Sequence, residues 1–411
     1  MVFVPHIRNA NNIFGIHKAP RNIGILREIK KDYLGRFVEN RVILTPEQVR
    51  KLIEKTGVAV YVESHAGRGI GASDADYIKA GTKIRSRKEI LGMDLVLGVK
   101  ETQKGDHKYL GSGVHMSYEH FADSRQRFFS AIRTSIKKCT TFLALETMQN
   151  LKGLFPTLMP MSEAAAEEVA QLVPSIFMKY FGLLPSGLPR CHIAPLVAVV
   201  LGGGIVGKTA AVRLSKLGLN VTLLESNKDR RRELEFEFRS HGINIKVKDS
   251  NHKTMVEAFT GANVLVSGVY RRGTTPPKIV TKSLLRRMDK RAVAFFVDVD
   301  QGSSFKGKLP KTSVLEPFKL KRIAGTHVLT FSPPNLPSMA ARHTSEAIGN
   351  AVLPFVYKIA KYGLIGAALR DQTILTGINI FSGYICCESL AKTFHRRYKS
   401  FISLVGASLP A

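Results

Sequence analysis

Leu196 to Leu201, LVAVVL, is an apolar run that leads straight into Gly202-Gly203-Gly204-Ile205-Val206-Gly207. KTAAVRLSKLG then reads as a helix, and NVTLLES as a second strand ending near Glu225. A strand, a G-x-G-x-x-G turn, a helix, a strand and an acid within about 30 residues make up the context that gives a glycine motif its meaning as a dinucleotide cradle. Gly202 permits a tight turn, Gly204 lets the backbone approach a pyrophosphate, and Gly207 allows close helix–strand packing. Ile205 and Val206 open the helix, whose N-terminus turns free N–H groups and the positive dipole end towards phosphates. A carboxylate at Glu225 can accept both ribose hydroxyls and repels a 2′-phosphate, which favours NAD over NADP. Arg230, Arg231 and Arg232 follow closely enough to keep NADP open.

A unit of this kind accounts for less than half of the 411 residues, and a chain of that length predicts about two domains. On the N-terminal side, strands are expected at Asn22–Glu28, Val58–Glu63, Asp94–Val99, Gly113–Tyr118 and Thr140–Glu146. Between them, Thr45-Pro46-Glu47-Gln48 carries a capping box with proline in the first helical position, and Ser73-Asp74-Ala75-Asp76 opens a helix in similar fashion. Strands alternating with helices imply a mostly parallel sheet. A long helical pattern from Ser162 to about Tyr180, interrupted at Pro174, leads towards the glycine-rich unit, and a second from roughly Ser345 to Tyr362 leads back. The expected fold is therefore α/β, with a Rossmann-type dinucleotide-binding domain inserted in a second α/β domain formed by the N- and C-terminal parts. The division expected is 1–165, 166–340 and 341–411.

Charge is the unusual bulk property: 61 Lys and Arg against 32 Asp and Glu leave +29. Such an excess invites a nucleic-acid partner. The basic residues are scattered through amphipathic segments, however, with the densest stretches at Lys306–Arg322 and Lys392–Lys399. A solvated surface that attracts polyanions is expected, not specific nucleic-acid recognition. Cys139, Cys191, Cys386 and Cys387 have no metal-ligand spacing and suit a reduced, cytoplasmic compartment; no metal site is expected. The most apolar run, Ile193 to Gly207, is too short to span a bilayer. The first acid is Glu28, so the chain starts acid-poor. An organellar leader is the alternative that this raises, and an irregular extension before the first strand is the expectation.

Three polar residues sit at or near the ends of apolar strands: Arg41 in NRVILTP, Lys100 at the end of DLVLGVK, and His120 after GVHMSYE. Ligands of open α/β sheets bind at the carboxyl ends of strands. Taken singly, each also reads as a surface charge, a solvated strand end or a partly buried loop histidine.

Taken together, many blocks resemble the alanine dehydrogenase family, related to the nucleotide-binding subunit of proton-translocating transhydrogenases. The blocks are REIK, NRVILTP, GRGIGASDADYIKAGTKI, DLVLGVKE, SYEHFA, LALETMQ, MPMSEAA, VVLGGGIVGKTAA, TTPPKIVTKSLLRRM, VDVDQG, PPNLP and NAVLPF, in order over nearly the whole chain. The resemblance implies that Arg41 and Lys100 hold a substrate carboxylate and carbonyl, that His120 is the acid/base, and that Asp300 completes the site. It also implies nucleotide contacts from Ser162, Gly202, Gly204, Ile205, Val206, Gly207, Glu225, Arg230, Ser250, Val269, Asn335 and Leu336. The reaction implied is NAD-dependent conversion of L-alanine to pyruvate and ammonia, and its reverse, by a homo-oligomer, usually a hexamer.

The chain departs from the family in places. A longer loop, KKDYLGRFVEN, precedes Arg41, the stretch after Lys100 lacks a proline, MSEAAA replaces a glycine, and Lys306–Lys321 is basic. Two rivals follow. One is a transhydrogenase nucleotide-binding component, against which Lys100 and His120 argue. The other is an opine-type synthase joining pyruvate to an amino acid, for which the longer loop would widen the pocket. A third reading, a polyanion-binding protein with a vestigial site, rests on the charge.

Overall fold

The computed structural model describes residues 18–406. The extension expected ahead of the first strand lies, for residues 1–17, outside the described residues. The strands are β1 (Asn22–Ile25), β2 (Ala59–Glu63), β3 (Lys83–Arg85), β4 (Leu95–Leu97), β5 (Val114–Ser117), β6 (Thr141–Ala144), β7 (Val197–Leu201), β8 (Asn220–Glu225), β9 (Ile245–Asp249), β10 (Val264–Ser267), β11 (Val293–Phe296), β12 (Lys321–Arg322), β13 (Leu329–Thr330), β14 (Ile378–Phe381) and β15 (Tyr384–Ile385).

They form two sheets. One has the order β3-β2-β1-β4-β5-β6-β14-β15, and the other β9-β8-β7-β10-β11-β13-β12. Pairing is parallel from β1 to β6 and from β7 to β11 and β13; β14, β15 and β12 add antiparallel edges. The expected architecture is observed: the segment carrying β7 to β13 interrupts a sheet that the C-terminal part completes. Both sheets reverse direction beside their first strand, giving the 3-2-1-4-5-6 order of doubly wound folds. Each therefore has a switch point, at β1/β4 and at β7/β10, where a crevice opens beyond the carboxyl ends.

Helix starts follow the sequence closely. Thr45 accepts from Gln48 N and the Gln48 side chain accepts from Thr45 N, which closes the capping box on Pro46–Thr56. Ser73 and Asp76 do the same for Asp74–Lys79. Several boundaries differ from expectation: the strands are shorter, and the long helices start at Met159 and Ala341 in place of Ser162 and Ser345. The first strand stops at Ile25, because Glu28 turns out of the sheet and its carboxylate accepts from the backbone N–H groups of Val99 and Lys100.

Helix Met159–Phe181 runs through Pro174 without interruption. An internal proline costs roughly 3 kcal/mol. Val169, Val173, Ile176 and Phe177 are all fully buried, and each contributes about 1.5–3 kcal/mol, so burial outweighs the break. The returning helix spans Ala341–Ala368, with a non-helical Gly363 (φ 68°, ψ 171°) one residue past the expected end. By length and composition this helix is apolar enough to cross a membrane, yet more than half of its apolar window is buried. Ile348, Val352, Val356 and Ile359 pack into the core of the first sheet.

Candidate functional site

The two switch points face each other across a cavity of about 110 Å³. From the first sheet come Lys100, after β4, and Tyr118 and His120, after β5. From the second come Val269 and Tyr270, after β10, and Asp298, Asp300 and Gln301, after β11. Arg41, Met161, Ser162, Val206 and Leu336 complete the polar and apolar walls.

Arg41 is fully buried and clamped by a carboxylate two residues earlier. Its Nε donates to Glu39 Oε1 at 2.7 Å and its Nη2 to Glu39 Oε2 at 2.6 Å. The remaining Nη1 points to Met161 Sδ at 2.8 Å, on the cavity wall. Burial alone would raise the Glu39 pKa, but the guanidinium holds it below its ordinary value. Arg41 thus turns its third nitrogen to the cavity wall, where only a thioether, a weak acceptor, engages it.

Lys100 Nζ lies 3.1 Å from Asp300 Oδ2 and also donates to the Pro334 carbonyl at 3.3 Å. Burial pushes the Lys100 ammonium below its usual pKa, against the pull of Asp300. Asp300 is held below the usual carboxylate range because Lys100, Lys30 and His120 outweigh its own burial. Lys30 in turn pairs with Glu101 at 3.1 Å.

His120 adopts φ 45°, ψ 43°, in the left-handed region that non-glycine residues rarely enter. The strain is held by Glu146, whose carboxylate accepts from the N–H groups of Glu119 at 3.2 Å and His120 at 2.7 Å. The imidazole stacks on Tyr118, with centroids 6.3 Å apart. Its Nδ1 is buried without a hydrogen-bond partner among the described residues. Burial drives the pKa down to about 4, against the pull of Asp300, so the ring is neutral at pH 7.

The glycine turn has the geometry its residues suggest. Gly202 sits at φ 90°. A Cβ on Gly207 would stand 1.7 Å from the Gly202 carbonyl oxygen, so only glycine permits this packing, whereas a Cβ on Gly204 would meet nothing within 4 Å. Helix Ile205–Lys216 starts there without a side-chain cap. Glu225 Oε2 accepts from Gly203 N at 2.6 Å and Oε1 from Asn227 N at 2.7 Å. A carboxylate offers about four acceptor sites, so capacity for a ligand remains. Arg230 Nε is tied to the Gly203 carbonyl, and Arg231 to the carbonyl of Glu225 and to Asp249. Ser250 follows β9 directly and stands at the same sheet edge, since Glu225 pairs with Asp249.

The structure therefore brings Arg41, Lys100, His120, Asp300, Ser162, Val206, Val269 and Leu336 onto one cavity. Glu225, Arg230 and Ser250 stand apart from it at the β8/β9 edge. Asn335 is not on the cavity wall: its side-chain amide donates to the Val38 carbonyl at 2.6 Å and ties the lobes together. Residues 30–40, the longer loop, do not line the cavity either. They dock on residues 313–321: Ser313 Oγ donates to Asp32 Oδ2 at 2.8 Å, Arg36 Nη2 to Glu316 at 3.0 Å, and Lys321 Nζ to the Tyr33 hydroxyl at 3.1 Å. Sequence reasoning missed Glu39, Lys30, Glu101 and Glu146. A carboxylate two residues before Arg41 was the one visible signal. Asp298, also missed, accepts from Ser267 and Ser304, and burial raises its pKa to about 6.

Comparison with known proteins converges with this geometry. The alanine dehydrogenase/PNT N-terminal domain model matches residues 24–165, and the C-terminal domain model residues 165–388. Alanine dehydrogenase of Geobacillus stearothermophilus is 31% identical over 389 residues, covering 93% of this chain and 99% of that protein. Alanine dehydrogenase of Halomonas elongata is 31% identical over 390 residues, covering 93% and 100%. Among solved structures, an L-alanine dehydrogenase superimposes with a TM-score of 0.77 at 29% identity, covering 91% of this chain and 99% of that one. A transhydrogenase from Sinorhizobium meliloti shares the fold, with a TM-score of 0.68 at 17% identity, covering 89% and 99%. With both domain models matched in order and full-length relatives at this identity, the chain belongs to the alanine dehydrogenase/PNT family.

Proposed function

We propose that this chain catalyses the NAD-dependent oxidative deamination of L-alanine to pyruvate and ammonia, and the reverse reductive amination. The observation that carries this reading is the convergence of Arg41, Lys100, His120 and Asp300 on a small cavity bounded by Val206 of the glycine-turn helix. The open space over Gly204 and the uncapped helix start fit a pyrophosphate, and Glu225 fits a ribose. NAD, when bound, takes up or delivers the hydride.

The protein residues divide the remaining work. The Nη1 corner of Arg41, which donates only to the weak acceptor Met161 Sδ, suits a substrate carboxylate, and the Lys100 ammonium suits the carbonyl oxygen. His120, neutral at pH 7, is ready to accept a proton from the water that hydrolyses the imine and, once protonated, to return it in the reverse direction. Asp300 pulls the Lys100 pKa up against its burial and faces the site from the second sheet. Residues 1–165 and 341–411 would form the substrate domain, 166–340 the NAD domain, and the molecule would act in the cytoplasm as a homo-oligomer, a hexamer by family likeness.

The longer loop docks away from the cavity and so does not widen it for an amino-acid amine partner. NADH oxidation with pyruvate, comparing ammonia against amino acids as amine donors, tests the reading. Turnover with ammonia is expected; turnover only with an amino-acid amine would overturn it.

A further inference from the structure

A second cavity, of about 640 Å³, opens on the far side of the loop that follows Lys100. Its walls are the segment 101–108 and one face of helix Arg125–Lys138. Gln126, Ser130, Arg133 and Lys137 recur at helical spacing and so share that face. Six cations line it: Lys104, Lys108, Arg127, Arg133, Lys137 and Lys138.

Among the described residues, none of the six is paired with a carboxylate within 4 Å; Lys138 and Arg127 donate to backbone carbonyls, and Arg133 to Ser130 Oγ. The one acid in the lining, Glu101, pairs with Lys30 at 3.1 Å, and of the six cations its field reaches Arg127. His107 is pushed below its ordinary pKa by burial and bonds Thr134, which adds a neutral polar wall. No Phe or Tyr lines the cavity, so it offers no stacking platform for a base. The volume falls in the range of small-molecule pockets.

We infer that this cavity binds a compact polyanion of the polyphosphate class, held by cations from two opposed walls. Arginine forks and lysine ammonium groups suit phosphate oxygens, and several uncompensated charges around one concavity raise local anion concentration. The site is distinct from the cavity between the lobes. Arg127 links the two, because it also donates to the carbonyls of Glu119 and His120, so it is left unchanged in the test.

The test uses the full chain, inorganic triphosphate as the probe, and calorimetric titration near 0.15 M salt. Binding with one saturable site is expected, weakened at least roughly tenfold by the combined exposed substitutions Lys104→Gln, Arg133→Gln and Lys137→Gln. A control with the same charge loss elsewhere, Lys79→Gln with Lys253→Gln and Lys361→Gln, should leave affinity unchanged. No saturable binding would overturn the inference. So would survival of binding in the first variant, which places the anion elsewhere, or equal weakening by the control, which reduces it to a diffuse field. Tighter, competing capture of duplex DNA through the same three residues would also overturn it in favour of a macromolecular partner.

Discussion

Lys100 and Asp300 stand 3.1 Å apart although one follows a strand of the first sheet and the other a strand of the second. The lobes therefore meet through a charge pair at the centre of the candidate site. Burial lowers the Lys100 pKa and Asp300 is the largest opposing influence, so removing that carboxylate lets the pKa fall further. Asp300→Asn should shift the alkaline limb of kcat/KM for pyruvate to lower pH. Lys100→Ala should raise the pyruvate KM at least roughly tenfold, about 1.4 kcal/mol, as well as slow turnover. An unmoved alkaline limb would show that Lys100 is not the titrating group.

His120→Ala should lower kcat by roughly 10²–10⁴-fold while leaving NADH affinity nearly unchanged. The imidazole also couples to stability. Its pKa falls from 6.5 to about 4 on folding, so the unfolded chain takes up the proton first as pH drops. The stability it contributes is complete above pH 6.5 and is lost as pH falls towards 4. Thermal melts from pH 7 to 4 should therefore slope less steeply in His120→Ala than in the parent. A variant with parental kcat would place the acid/base on another residue.

Cofactor choice rests on Glu225. Its carboxylate at the β8 edge should favour NADH over NADPH in kcat/KM by at least roughly tenfold, about 1.4 kcal/mol. Arg230 and Arg231 are engaged by the backbone and by Asp249, which leaves them less free to bind a 2′-phosphate. Glu225→Gln keeps an acceptor for Gly203 N but removes the charge, and should narrow the gap. Equal use of both cofactors by the parent enzyme would show that the arginines prevail.

The loop 31–37 is pinned by Asp32, whose carboxylate receives Arg36 and Ser313. Asp32→Ala should release it from residues 313–321. Trypsin should then cut after Lys31 and Arg36 faster than in the parent, as followed by mass spectrometry. Turnover should stay within a few-fold, because the loop is not a wall of the cavity. A large rise in the pyruvate KM would mean that the loop shapes the substrate site.

The net charge of +29 predicts weak retention on DNA that disappears near physiological salt and has no sequence preference. Filter binding at several salt concentrations checks this. Salt-resistant, sequence-selective binding would require a partner beyond small molecules.

Local features carried far in this chain. The apolar run before Gly202, the glycine spacing and the acid at Glu225 dictate a strand, turn, helix and strand, because each choice depends on near neighbours. The capping boxes at Thr45 and Ser73 set helix starts for the same reason. Strand-end positions marked Lys100 and His120, whereas Arg41 stands in irregular chain ahead of helix Pro46–Thr56, and resemblance made the three a set. Contacts between distant residues were beyond such reading. The sequence does not show that Glu39 occupies two corners of Arg41, that Asn335 reaches Val38, or that the two unusual segments at 31–37 and 313–321 dock on each other. Nor does it show that His120 is neutral at pH 7, since a pKa follows from burial and from charges that converge only when the lobes meet. Periodicity and glycine geometry determined the elements and their order; the tertiary structure alone decided which side chains share a desolvated space, where pairing and desolvation set charge and reactivity.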